Sequence, residues 1–142
     1  MADNFSHTTT AHASPQKIWR LWTDTDTWPD WNPMVVLVRL EGPFRPGTRG
    51  LMVPNRSAVS RMIITEVIHE KVTAYDLRML LGRMHIRREM EVLPLGGIRI
   101  VQTVRFSGVL KWYHQFLYKD YYNNHLEKVL DNMVSEAMFS DY

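Results

Sequence analysis

Apolar and polar positions alternate with period two over residues 5–13, a threonine-rich run that predicts a strand. Phe5, His7, Thr9, Ala11 and Ala13 then share one face, and Ser6, Thr8, Thr10 and His12 the other. Ser14-Pro15 reads as a helix cap followed by proline at the first helical position, where its missing N–H costs nothing. Residues 16–22 follow with helical spacing, which puts Ile18, Trp19 and Trp22 on one side. Asp24 offers a second cap, for a short helix running toward Asp30. Pro33 pushes Asn32 out of helical geometry and starts a β-branched strand over residues 35–40.

Strands are then predicted over residues 48–54, 60–68, 72–80, 84–93 and 98–109. The turns between them fall at Pro54-Asn55, Glu70-Lys71, Leu81-Gly82 and Leu95-Gly96-Gly97. From about residue 113 to 138 there is neither proline nor glycine. Tyr118, Tyr122, Leu126, Val129, Met133 and Ala137 recur there at three- and four-residue steps, forming one apolar stripe. A helix of roughly 25 residues would be about 37 Å long and span a whole sheet. Strand, two short helices, consecutive strands and a terminal helix describe an α+β fold: a curved antiparallel sheet around a helix. A strongly bent sheet and one helix seldom fill the space between them, so a cavity is expected.

Four short motifs stand in this order: Ala13-Ser14-Pro15-Gln16-Lys17-Ile18-Trp19, the run from Asp24 through Trp31-Asn32-Pro33, Pro46-Gly47-Thr48, and Arg105-Phe106-Ser107-Gly108-Val109-Leu110. With them the chain resembles the START-like SRPBCC superfamily, in its polyketide cyclase/dehydrase and lipid-transport-like branch. The resemblance implies the helix-grip fold, a seven-stranded curved sheet closing on the C-terminal helix around a hydrophobic cavity. It also implies an apolar ligand, since members bind lipids, hormones, quinones or polyketides, and some cyclise or dehydrate what they bind. Many chains of this kind carry a His on the strand before the Gly-Gly turn and a Glu on the strand after it. Here those positions hold Arg88 and Val104, so that acid–base pair does not carry over.

At 142 residues the chain is long enough for one domain, 1–142, that buries roughly two-thirds of its unfolded surface. Its net charge is only +2, with Lys and Arg interleaved among acids, which argues against nucleic acid as a partner. Without cysteine there is neither a disulfide nor a thiolate metal site. The six histidines show no metal-binding spacing, and no cofactor or metal is expected. With no membrane-spanning run and no signal-peptide pattern, a cytoplasmic monomer or homodimer without stable membrane insertion is expected.

The chemistry-bearing candidates follow from the strand faces. If Met90 and Val92 face inward, period two brings Arg88 inward as well. A buried guanidinium needs a carboxylate or a ligand anion; the alternative is a bulge that turns it to solvent. His7 shares its inward face with Phe5 and Thr9, as a core residue or a proton carrier. Trp28, Trp31 and Asn32-Pro33 either line a pocket mouth or pack the short helices against the sheet. Asp24, Asp26 and Asp30 suit helix capping better than acid–base or calcium chemistry. Trp112, Tyr113, Phe116, Leu117, Tyr118, Tyr121 and Tyr122 gate the cavity, pack, or dock on a membrane. The set expected to face a small hydrophobic ligand is therefore His7, Thr9, Trp31, Ile64, Tyr75, Leu77, Met79, Arg88, Met90, Gln102, Val104, Phe106, Tyr118, Tyr122 and Leu126. Arg88, His7, Tyr75 and Gln102 are the candidates for catalysis. The reading is of a protein that binds an aromatic or polyketide-like molecule, as a cyclase, dehydratase or aromatase, or as a non-catalytic carrier.

Overall fold

In the computed structural model, which describes residues 5–55 and 58–139, seven strands form one antiparallel sheet in the order β1-β7-β6-β5-β4-β3-β2. The strands are β1 (Phe5–Ala11), β2 (Val35–Leu40), β3 (Arg49–Pro54), β4 (Ser60–Ile68), β5 (Val72–Met79), β6 (Gly82–Val92) and β7 (Ile98–Gly108). Helix α1 (Pro15–Thr23), a 3-10 turn (Thr25–Thr27) and α2 (Trp28–Trp31) connect the two edge strands, and α3 (Lys111–Phe139) closes the chain. This is the helix-grip architecture.

The caps act as the sequence suggests. Ser14 Oγ accepts from Lys17 N–H at the start of α1, with Pro15 behind it, and Asp24 Oδ1 accepts from Asp26 N–H at the 3-10 turn. Two boundaries shift. β1 stops at Ala11, where its pairing with β7 ends at Ile98, rather than at residue 13. β6 starts two residues earlier than expected, because Leu81 takes a left-handed φ of 50° and makes the β5–β6 turn tight enough to pair Gly82 with Met79.

Curvature has a local source. The register shifts between Val35 and Leu37 in β2 and between Ile64 and Glu66 in β4, and each bulge adds twist and bend. The concave face this produces is covered by α1, α2 and α3. Tyr122, Leu126, Val129, Leu130, Met133 and Ala137 of α3 are buried, against Ile18, Leu21 and Trp22 of α1 and the inner face of the sheet. Helix α3 lies mainly on β1 and β7, where Phe5 stacks on Tyr122 at 5.2 Å between ring centroids. That side of the interior is filled. The space that remains lies over β3 to β6.

Candidate functional site

Strand β6 alternates without a bulge, so Met84, Ile86, Arg88 and Met90 point inward while Arg83, Arg87 and Glu89 point out. Arg88 is 1% exposed, deep among apolar side chains. Its Nε donates to Gln102 Oε1 at 3.0 Å, and Nη2 donates to the Tyr75 hydroxyl at 3.4 Å. Its Nη1 is buried with no hydrogen-bond partner, and among the described residues no carboxylate pairs with it.

Three aromatic faces stand in place of an acid. The Arg88 Cζ lies 5.1 Å from the Trp31 ring, 5.2 Å from Trp28 and 5.5 Å from Tyr75. Each such contact stabilises a desolvated cation by up to about 2 kcal/mol. The indole edges are tied down by hydrogen bonds. Trp28 Nε1 donates to the carbonyls of Leu21 and Trp22, and Trp31 Nε1 donates to Thr27 Oγ1, so their faces are left for Arg88. Both tryptophans thus pack the short helices and build the site at once.

The register extends this polarity across the sheet. Thr73, Arg88, Gln102 and His7 are successive cross-strand partners on β5, β6, β7 and β1. Thr73 is 1% exposed and its Oγ1, like Arg88 Nη1, has no partner. A row of polar groups with two unmet members, inside an otherwise apolar sheet face, is costly for folding alone.

A partly open cavity of about 60 Å³ adjoins this row. Tyr75, Leu77, Met79, Arg88, Gln102, Tyr118 and Tyr122 line it. The remaining residues expected to face a ligand do not. Trp31, Ile64, Met90, Val104, Phe106 and Leu126 are packed in the core, and His7 and Thr9 lie half-buried on edge strand β1, beneath the side that α3 fills. The rest of the wall includes Asn32, which the sequence also offers for a pocket mouth, Met84 and Ile86 of unbulged β6, and a group that periodicity did not single out, at the bulged side of the sheet: Met34, Val35, Met52, Pro54 and Ser60. Asn32 is buried, and its Oδ1 accepts from Met34 N–H at 3.0 Å, an Asx turn that fixes the start of β2. Four methionines, 34, 52, 79 and 84, give the wall its deformability. Tyr122 Oη donates to Met84 Sδ at 3.2 Å and ties α3 to it.

The other singled-out groups lie elsewhere. Asp24, Asp26 and Asp30 sit at helix starts, away from the cavity wall. Tyr118 and Tyr122 face in; Trp112, Tyr113, Phe116 and Leu117 are exposed, and the Tyr121 side chain lies outside the described residues. On the outer face of the sheet His85 bridges Asp76 (Nδ1 to Oδ1, 2.7 Å) and Ser107 (Nε2 to Oγ, 2.6 Å). A carboxylate only accepts, so Nδ1 donates to Asp76, while Nε2 and the serine hydroxyl share the second hydrogen bond. The groove beside Ser107 is shallow and open, and this chain clamps β5, β6 and β7 together. Nearby, Arg87 bonds Glu89 and Glu66. The hydrogen bond that Arg87 donates to Glu89 raises its guanidinium above its ordinary range; partial burial opposes this and the Glu66 charge adds to it.

A helix-grip sheet enclosing a small apolar cavity with one buried cation defines a ligand-binding class. The chain belongs to the polyketide cyclase / dehydrase and lipid transport family, whose model matches residues 2–137. Its fold is similar to that of a hypothetical protein from Helicobacter pylori (TM-score 0.77, 14% identity, 93% of this chain and 86% of that one). It is also similar to norcoclaurine synthase from Thalictrum flavum (TM-score 0.71, 13% identity, 96% and 86%). A third likeness is to the di-domain ARO/CYC protein StfQ of the steffimycin biosynthetic pathway (TM-score 0.75, 10% identity, 94% of this chain and 50% of that one). At these identities the likeness is one of fold. No curated protein matches the sequence at a significant level.

Proposed function

We propose that the protein binds a small, largely apolar aromatic or polyketide-like molecule carrying one acidic oxygen, with Arg88 as the anchor of that oxygen. The observation that carries this reading is the Arg88 guanidinium itself: fully buried, facing the cavity, caged by aromatic rings, without a carboxylate and with Nη1 unmet. Taking such a cation out of water costs several kcal/mol, and a carboxylate, phenolate or enolate on a ligand recovers part of that cost. Gln102 and Tyr75 hold the guanidinium plane in position, and the apolar wall excludes water from the pair.

Ligand pockets usually measure about 300–1,000 Å³. At about 60 Å³ the partly open cavity is smaller than that, so a ligand of this class is accommodated by displacement of the deformable methionine wall. For a cyclase- or dehydratase-type reaction the site supplies orientation of a flexible substrate and stabilisation of a developing enolate by Arg88. Tyr75, whose hydroxyl already lies at the guanidinium, is the proton carrier nearest that charge. The carrier reading uses the same anchor without turnover; the lipid-transport side of the family supports it, as does the presence of Arg88 and Val104 where the resemblance implies an acid–base pair.

Quenching of tryptophan fluorescence by planar phenols and aromatic acids, quinones, sterols and fatty acids tests the reading. Saturable binding confined to planar aromatics with an acidic oxygen is expected. Chemical change of the bound ligand, followed by mass spectrometry, then separates enzyme from carrier. No binding across the panel would remove both.

A further inference from the structure

The cavity wall and the outer surface meet at one end of the molecule. Met79 and Tyr118 line the cavity, while their chain neighbours Leu80 and Leu117 are exposed. Leu80 and Leu81 form the β5–β6 turn; Val109, Trp112, Phe116 and Leu117 belong to the end of the sheet and the first turns of α3. Trp112 is 71% exposed, Phe116 76% and Val109 82%. These groups form one surface, because the turn and the helix are joined: buried His114 donates from Nε2 to the Leu80 carbonyl at 2.7 Å, and Leu110 N–H donates to the Leu81 carbonyl at 3.3 Å.

A solvated helix face carries polar residues at this spacing. Here Trp112 with Phe116, and Tyr113 with Leu117, repeat at four-residue steps on the face opposite His114 and Tyr118. An exposed cluster of this kind marks an interaction site. Its rim carries Lys111 and Lys119 on α3, and Arg78 and Arg83, which share a groove with Leu81 and Val109, Arg83 lying 3.9 Å from Asp76 as well. Lys111 Nζ sits 5.2 Å over the Trp112 ring, a pairing that places a charge at headgroup level when the indole enters the interface.

We propose that this surface docks on an anionic lipid bilayer, placing the Met79–Tyr118 side of the cavity against the membrane. Trp112, Phe116, Leu80 and Leu81 enter the headgroup boundary, and the four basic residues meet anionic headgroups. An apolar ligand then passes between bilayer and cavity with little exposure to water. This use of the surface rests on the ligand reading above; the docking is measured separately from it.

The experiment is co-sedimentation of the whole chain with vesicles of equal parts phosphatidylcholine and phosphatidylglycerol, alongside pure phosphatidylcholine. Binding to the mixed vesicles, weakened by high salt and by omission of phosphatidylglycerol, is expected. Trp112→Glu and Phe116→Glu, at exposed positions that leave the core intact, should each lower it about tenfold or more. Phe116→Glu should leave binding of a soluble aromatic acid unchanged, so that loss of docking and loss of the cavity reading are told apart. Wild-type chain that stays in the supernatant would overturn the docking, as would variants that bind like wild type. So would a concentration-dependent dimer, seen by sedimentation and abolished by the same variants, since a second copy would then be the occupant.

Discussion

Arg88 and Gln102 face each other across β6 and β7 with Nε and Oε1 3.0 Å apart, and this single bond is the only amide partner the buried guanidinium has among the described residues. Gln102→Leu therefore removes an acceptor from a desolvated cation and leaves its Nε unmet. Chemical denaturation should show a loss of about 1–3 kcal/mol, larger than a solvent-facing Gln→Leu change would give.

Arg88→Met is expected to behave differently. It removes a cation that has no carboxylate partner, but it also leaves Gln102 Oε1 unmet and the aromatic cage without its cation, so stability should change by no more than about 2 kcal/mol in either direction. Affinity for an aromatic acid should meanwhile fall tenfold or more. A thermal melt and a binding titration on the same sample check both.

The aromatic cage predicts a cost beyond packing for Trp31. Trp31→Leu leaves a void and removes one face from the cation, and should destabilise the fold by about 3–5 kcal/mol. In the Arg88→Met background the penalty should shrink by the cation–π part, about 1 kcal/mol, which a double-mutant cycle reads directly.

On the outer face, Ser107→Ala breaks the bond to His85 Nε2 and should cost about 0.5–1.5 kcal/mol. Ligand binding should not change, because Ser107 lies on the side of β7 away from the cavity.

The helices, caps and strand positions were legible because each has a local cause: Ser14-Pro15, Asp24, the apolar stripe of α3 and the Gly96-Gly97 turn. The inward position of Arg88 was legible because β6 keeps strict alternation, although Val92, used to infer it, is exposed at the strand end. The cavity wall from Met34, Met52 and Ser60 was not, since bulges near Val35 and Ile64 break the period that a sequence reading follows. Nor was the cage visible. Trp28 and Trp31 stand some sixty residues from Arg88 in the chain, and only the fold of the 3-10 turn and α2 brings their faces over it. The outward stripe from Trp112 to Leu117 was seen as a cluster, but its exposure depends on which face α3 turns to the sheet.

The most direct test compares one planar aromatic carboxylic acid with its methyl ester, by tryptophan quenching, in the wild-type chain and in Arg88→Met. Wild type should bind the acid at least about tenfold more tightly than the ester, and the variant should bind the two alike. Equal affinity of wild type for acid and ester, or a preference for the acid that survives loss of the guanidinium, would contradict the assignment of Arg88 as the anchor.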